Sequence, residues 1–314
     1  MKIKIFLGFF LILEISKVYA QQIPKEYLLQ LTREWKGERF ADGRPKVPDA
    51  LLTRLKKATL EEAWAVLRNK NYKFQYEGNW QLINPDSVLV GRAVTAIFTP
   101  GRPDIQTAID DKGHQKEGRV KSQNSWPIDL LVKGDVYVVD QFGAYADGPT
   151  IGDNLGNSIF AKTGNGIVYD GAVRDIKGLK EIGGFTSFFR SYHPSHHLNN
   201  AAESLNTTLV GINQPTRIGA ATVMPGDIVF GRDGGVLFIP PHLVEECVKV
   251  SEIVRLRDMF GHMRLREQKY TPGQIDSRWS EDIEKDFSKW LNDNKTSLPV
   301  PMEQIQEMLK GRTW

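Results

Sequence analysis

The chain has one cysteine, Cys247, among 314 residues. No intrachain disulfide can form, so stability must come from a core. Charge of one sign is not in excess either: 41 Lys and Arg against 38 Asp and Glu leave a formal net charge of +3. That near-neutral balance, without a basic cluster, gives no support to a nucleic-acid-binding surface. Long apolar runs are scarce. The one near the start, Ile5 to Ile15, is interrupted by Glu14 and is too short to span a bilayer. Lys2 and Lys4 precede it and Val18-Tyr19-Ala20 follows, which is the pattern of a signal peptide over residues 1–20, cleaved before Gln21. A buried N-terminal strand is the alternative. Removing the leader takes away three lysines and one glutamate and brings the net charge from +3 to +1. No cysteine lies near the cleavage point to carry a lipid. An exported protein, periplasmic or secreted and without a stable membrane anchor, is therefore expected. Internal repeats and low-complexity tracts are also missing. So is a glycine-rich nucleotide loop followed by an acidic residue, which leaves a methyltransferase reading without support.

What is there falls into three textures. Residues 21–80 are charged and helix-like, with Glu26 to Trp35 as one amphipathic stretch and Ala50 to Leu67 as a better one. Residues 81–265 alternate strand-like and helix-like segments. Val88 to Phe98, Asp135 to Asp140, Gly166 to Asp170, Asp227 to Phe230 and Val236 to Pro240 read as strands, with Gly234-Gly235 as a tight turn. Asn154 to Thr163 can be a helix opening after a glycine-rich loop, and polar residues 111–127 read as a surface loop. Leu243 to Leu256 forms an amphipathic helix that carries Cys247 as a small buried hydrophobe. Residues 266–314 are a helical extension, with Trp279, Phe287, Trp290 and Leu291 at helical spacing. The alternation predicts an α/β body with added helices at both ends. The seven tryptophans are scattered, which favours packing over a sugar-stacking platform.

The chemistry concentrates between Gly148 and Asp175. Gly152-Asp153-Asn154-Leu155-Gly156 is a glycine-rich turn opening a helix, where unpaired backbone N–H groups favour a carboxylate or phosphate. Gly171-Ala-Val-Arg174-Asp175 ends a strand. Arg174 offers a planar fork for a carboxylate. Asp175 is a hard oxygen ligand suited to Mg²⁺ or Mn²⁺, and Asp153 could hold a water from the opposite side. Together these groups suit an α-keto acid. The same residues also have plainer roles: Arg174 and Asp175 as a structural ion pair, Gly152 and Gly156 as a strand-to-helix turn, Asp153 as a helix N-cap.

Gly-Asp-x-Leu followed by Gly-Ile-Val-x-Asp-Gly-x-Val-Arg-Asp resembles the signature of the RraA-like family, which includes 4-hydroxy-4-methyl-2-oxoglutarate aldolase and the RNase-activity regulator A proteins. Leu89-Val-Gly-Arg-Ala-Val-Thr-Ala, Lys133-Gly-Asp-Val-Tyr-Val-Val-Asp and Val223-Met-Pro-Gly-Asp-Ile-Val resemble flanking strands, so the likeness covers roughly residues 50–265. It implies a swivelling β/β/α domain assembled as a homotrimer or hexamer, with sites between subunits. It implies that Gly152, Asp153, Asn154 and Leu155 form the substrate-binding loop. Arg174 would bind the substrate carboxylate and stabilise the enolate, and Asp175 would hold the divalent metal. It further implies an acidic residue from a neighbouring chain, for which Glu252, Asp258 and Glu267 are candidates. Arg232 stands where the family often has an acid.

His193, His196 and His197 lie close together and could ligate zinc, line the pocket or be a solvated loop. The leading expectation is a class II, metal-dependent aldolase or lyase cleaving a 4-hydroxy-2-oxo acid to pyruvate, with oxaloacetate decarboxylation as a side reaction. A non-enzymatic binding protein and an exported lyase for larger sugar acids are the competing expectations.

Overall fold

The computed structural model describes residues 21–143, 148–196, 198–199 and 204–310. The signal-peptide reading, His197 and Trp314 fall outside them. The described chain begins with α1 (Lys25–Leu31), α2 (Asp49–Leu55) and α3 (Leu60–Asn69). The single helix expected over Ala50 to Leu67 is thus two. Thr59 divides it: its hydroxyl accepts from Glu62 N at 3.2 Å while the Glu62 carboxylate accepts from Thr59 N at 2.8 Å. That reciprocal cap starts a new helix.

The body follows. β1 (Tyr76–Glu77), β2 (Gln81–Ile83) and the long β3 (Leu89–Pro100) lead into α4 (Pro103–Lys116) and α5 (Trp126–Asp129). Next come β4 (Asp135–Asp140), α6 (Asp153–Thr163), β5 (Ile167–Val173), α7 (Ile176–Glu181) and β6 (Ser187–Tyr192). A run of strands succeeds them: β7 (Leu198–Asn199), β8 (Ser204–Leu205), β9 (Thr207–Ile212), β10 (Thr216–Ile218) and β11 (Ala221–Val223). β12 (Ile228–Arg232) and β13 (Gly235–Ile239) close the sheet. The chain ends in α8 (Val244–Arg266), α9 (Pro272–Ile275), α10 (Glu281–Asn294) and α11 (Met302–Leu309).

The region expected to be a loop, residues 111–127, is half helix. Pro103 starts α4 at a position where its missing N–H costs nothing. Only Gln106 and Gly113 of α4 are buried, so its polar face is a solvated helix surface, which composition alone does not distinguish from a loop. Trp126 anchors the end of the segment, fully buried and edge-on to His114 at 5.5 Å between ring centres.

Nine strands form one sheet in the order β1-β13-β12-β3-β4-β5-β6-β2, with β9 pairing the outer half of β3. β3, β4, β5 and β6 run parallel and the other pairs are antiparallel. Helices between parallel strands must cross one face, and α5, α6 and α7 do so over Val94, Tyr137, Val139, Ile167, Tyr169 and Phe189. On the same face, α2, α3 and α8 cover Val90, Phe230, Leu237 and Ile239. The other face packs Leu89, Val136, Val168 and Phe238 under the β10–β11 hairpin. The body is therefore mixed α/β, and β1 lies within its sheet.

The C-terminal helices have a core of their own. Phe260, Trp279 and Phe287 meet with ring centres 5.3 Å apart, beside Leu291 and Ile305. Cys247 is buried against α3, where burial pushes its thiol up to about 12, so it is inert packing. Among the described residues no helix is long and apolar enough to cross a membrane.

Candidate functional site

The parallel strands β4 and β5 end side by side, and the chain leaving β4 returns as the loop before α6. Three buried side chains fix that return. Tyr169 on β5 hydrogen-bonds Gln141 and Thr150, and its hydroxyl accepts from Thr150 N at 3.2 Å. Gln141 also donates to Gly148 O, and Asn124 donates to Thr150 O at 3.1 Å. Arg174 N donates to Ile151 O at 3.0 Å, tying the loop to the end of β5. Sequence reading missed Gln141, Thr150 and Tyr169. The available signal was that strand alternation points Tyr169 inward, and a buried tyrosine must find a partner for its hydroxyl.

This clamp delivers Gly152 onto the Arg174–Asp175 pair. Gly152 has extended backbone that any residue adopts, with φ −134°. What requires glycine is space. A Cβ there would overlap Asp175 Oδ2 and lie 3.1 Å from Arg174 Nε. The expected turn, arginine and aspartate are thus in direct contact. Arg174 Nε and Asp175 Oδ2 are 3.3 Å apart, with their side chains 24% and 36% exposed. Asp175 has a left-handed backbone, φ 55°, between β5 and α7. Aspartate tolerates that region better than most residues, and such conformations concentrate at sites.

The helix start differs in detail from the expectation. Gly152, not Asp153, is the N-cap of α6, and no side chain caps it. Asp153 is the first helical residue, half-buried, and its Oδ1 accepts from Asn154 N at 2.8 Å. One of the opening amides is therefore already engaged. Asn154 points to solvent, and Leu155 is half-buried against the core. Gly156 is not in the turn; it lies inside α6, donating to Gly152 O at 2.9 Å. Gly178 of α7 sits against the Asp153 side chain, so α6 and α7 present their first turns to one another.

Asp175 is the carboxylate here that could hold a metal. Among the described residues, no three His, Cys, Asp or Glu side chains converge as a metal cage, so a zinc-type closed site does not fit. A partly exposed carboxylate, with a bare glycine backbone opposite it, fits a hard cation that keeps much of its water, as Mg²⁺ does. His193 donates from its backbone to Val173 O at 3.1 Å, which places it beside the strand end that carries Arg174. Its Nδ1 accepts from Ser195 N at 3.2 Å, leaving the ring proton to Nε2 when neutral. His196 is exposed.

Of the acids considered for a neighbouring site, Glu252 is 3% exposed and grips Arg54 twice, at 2.8 and 2.7 Å, so it cannot reach another chain. Asp258 is exposed; Glu267 is exposed and paired with Arg264 at 2.7 Å. Arg232 pairs with Asp233 and donates to Ala58 O, holding the α2–α3 junction onto the sheet.

Residues 49–238 match the RraA-like family, described as Aldolase/RraA. The chain is 28% identical over 144 residues to Protein DlpA of Legionella pneumophila, spanning 46% of this chain and 22% of that protein. It is 35% identical over 87 residues to a Halalkalibacterium halodurans protein provisionally named a 4-hydroxy-4-methyl-2-oxoglutarate aldolase, spanning 28% of this chain and 38% of that one. The alignments thus span well under half the length of either relative. Among solved structures, RraAS2 of Streptomyces coelicolor, titled an unusual member of the RNase ES inhibitor RraA family, superposes with a TM-score of 0.57 at 24% identity. That superposition covers 70% of this chain and all of the other, and it shows the fold.

Proposed function

The chain belongs to the RraA-like family, and on that premise we propose that it is a divalent-metal-dependent carbon–carbon lyase. Its substrate would be a 4-hydroxy-2-oxo acid, or a related keto or sugar acid, cleaved with release of pyruvate. The observation that carries this reading is the contact of Gly152 with both Arg174 and Asp175. It sets the opening of α6, a guanidinium and a carboxylate around one space. The helix opening and Arg174 bind the substrate carboxylate, a task suited to N–H groups and a fixed planar cation. Arg174 then supplies positive charge where negative charge develops as the C–C bond breaks, an effect worth about 10²–10³ in rate for one well-aimed donor. Asp175 holds the cation, Mg²⁺ or Mn²⁺, which when bound supplies Lewis-acid polarisation of the keto oxygen. Asp153, at the first turn of α6, is the carboxylate placed to receive the proton of the substrate's C4 hydroxyl.

The proposal includes export through residues 1–20 and assembly as a homotrimer or hexamer with an acidic residue lent by a neighbouring chain. The family name and the aldolase relative support the reaction class. The test is pyruvate release by the purified protein from oxaloacetate, 4-hydroxy-4-methyl-2-oxoglutarate and uronate-derived keto acids, with Mg²⁺ or Mn²⁺ and with EDTA. Metal-dependent release from any of them, above a protein-free blank with the same metal, supports the reading. A folded protein that binds Mn²⁺ but releases pyruvate from none contradicts it, and one that neither binds metal nor turns over is a non-enzymatic binding protein.

A further inference from the structure

A second pocket lies at the other end of the sheet. Asp227 O accepts from Ala93 N at 2.8 Å, and Ala93 pairs with Val136 near the start of β4. Arg174 follows the far end of β5, whose Ile167 is level with Tyr137. At about 3.3 Å per strand residue, the two places are on the order of 20 Å apart.

The pocket is a cavity of about 180 Å³ whose wall includes Trp35, Tyr72, Gln75 and His242, with Glu34 and Asp227 among its lining residues. Asp227 is 3% exposed, and its Oδ2 accepts from Met224 N at 2.8 Å. Among the described residues no lysine or arginine pairs with it. A buried carboxylate without a cation is costly unless something else supplies the positive charge. Most of the wall's side-chain donors are engaged inside the protein. Gln75 Nε2 donates to Thr222 O and Phe238 O at 3.2 and 2.7 Å. Trp35 Nε1 donates to Glu38 O at 2.8 Å, and Tyr72 Oη meets His242 Nε2 at 3.3 Å. What remains is aromatic surface and carboxylate oxygen, the combination that takes an organic ammonium ion. A dry cavity of about 150 Å³ accommodates a benzene ring, so this one has room for about six heavy atoms.

We propose that this cavity is a binding site for a small primary alkylammonium ion, held by the Asp227 carboxylate and the Trp35, Tyr72 and His242 rings. Glu34, Tyr72, Asp227 and His242 are the titratable groups that line it. Burial pushes His242 down, so the imidazole adds no positive charge near neutral pH. Burial pushes the Asp227 carboxyl up to about 7. The ion needs the carboxylate form, so binding should tighten roughly tenfold from pH 6 to pH 8.

The test is calorimetric titration of the full protein with n-butylammonium chloride at pH 6 and pH 8, beside n-butanol and butyrate. Saturable one-to-one binding of butylammonium is expected, tighter at pH 8 and at least tenfold tighter than n-butanol. Asp227→Asn should weaken it tenfold or more. Thr222→Trp, on the exposed part of the wall, should block it even if the Asn variant does not fold. Three results would each overturn the assignment: no saturable binding to the wild type, equal binding of butanol and butylammonium without pH dependence, or undiminished binding in a folded Thr222→Trp variant.

Discussion

At the amino end of the parallel strands, Asp135 is fully buried between Arg44 and Arg92, which are 2% and 3% exposed. At the carboxyl end, Asp175 and Arg174 form a pair that is 36% and 24% exposed. The residue types are the same; the surroundings are not. Asp135 takes Arg44 on both oxygens at 3.2 and 3.4 Å and also accepts from Val132 N at 3.0 Å. Arg92 lies 3.8 Å from it and donates to Val47 O, Asp49 and Lys133 O at 2.7 to 2.8 Å. That network pins residues 42–49 to the starts of β3 and β4. Arg174 and Asp175 face a bare glycine backbone, and among the described residues their ion pair is with each other. A buried network held from several sides keeps a fold together; a half-open pair with coordination to spare is where a ligand can enter.

The largest effect expected from that contrast is at the closed end. Asp135→Ala should destabilise the protein by about 3–5 kcal/mol, because it removes the buried carboxylate that Arg44 and Arg92 share and leaves each buried guanidinium with one outer acid, Asp42 and Asp49; urea unfolding would show it, and a loss under about 1 kcal/mol would mean the network is not structural.

The next is a pH effect at the same end of the sheet, in the pocket that Asp227 lines. Asp227 is raised from 3.8 to about 7 in the folded state by burial. Above pH 4 the unfolded chain releases this proton and the folded one keeps it, so the group's contribution to stability falls as pH rises. The fall runs from about pH 4 to about pH 7 and then levels off, with an upper bound of about 4 kcal/mol. Asp227→Asn should flatten that part of the stability profile; an unchanged slope would assign it to other groups.

At the open end, Gly152→Ala should cost little stability but about tenfold to a hundredfold in kcat/KM, since its methyl would push on Asp175 and Arg174. A kinetic comparison at matched folded fraction checks it. Smaller again is Tyr169→Phe. Losing that hydroxyl leaves Thr150 N–H and the Gln141 amide short of a partner, for about 1–3 kcal/mol of stability. Hydrogen exchange should rise in residues 148–152 more than in β4 or β5.

The contrast also explains what could be read from the chain. β4, β5, α6 and the β12–β13 hairpin were legible because apolar runs, glycine turns and a helical stripe all agree there. The β10–β11 hairpin was not, because each of its strands is three residues long, and β9, which opens on Thr207-Thr208, has no apolar run to mark its start. α4 was misread since only two of its residues are buried. Gly152, Arg174 and Asp175 were singled out by their motif, and the fold brings them into contact. Yet sequence alone weighs an Arg–Asp pair the same at either end of a strand. Only burial distinguishes Asp135, whose partners Arg44 and Arg92 both stand far earlier in the chain, from Asp175. The Gln141–Thr150–Tyr169 clamp depends on three segments meeting, for which no local spacing is a signal.

The most direct test is Mn²⁺-dependent pyruvate release from oxaloacetate, above a protein-free Mn²⁺ blank, by wild type and Asp175→Asn, measured side by side with Mn²⁺ binding and thermal unfolding. The variant should unfold at nearly the same temperature, since Asn tolerates the left-handed backbone and a half-exposed pair contributes at most about 1 kcal/mol, while it loses tight Mn²⁺ binding and pyruvate release together. A variant that binds Mn²⁺ and releases pyruvate as the wild type does would contradict the assignment of Asp175 to the metal.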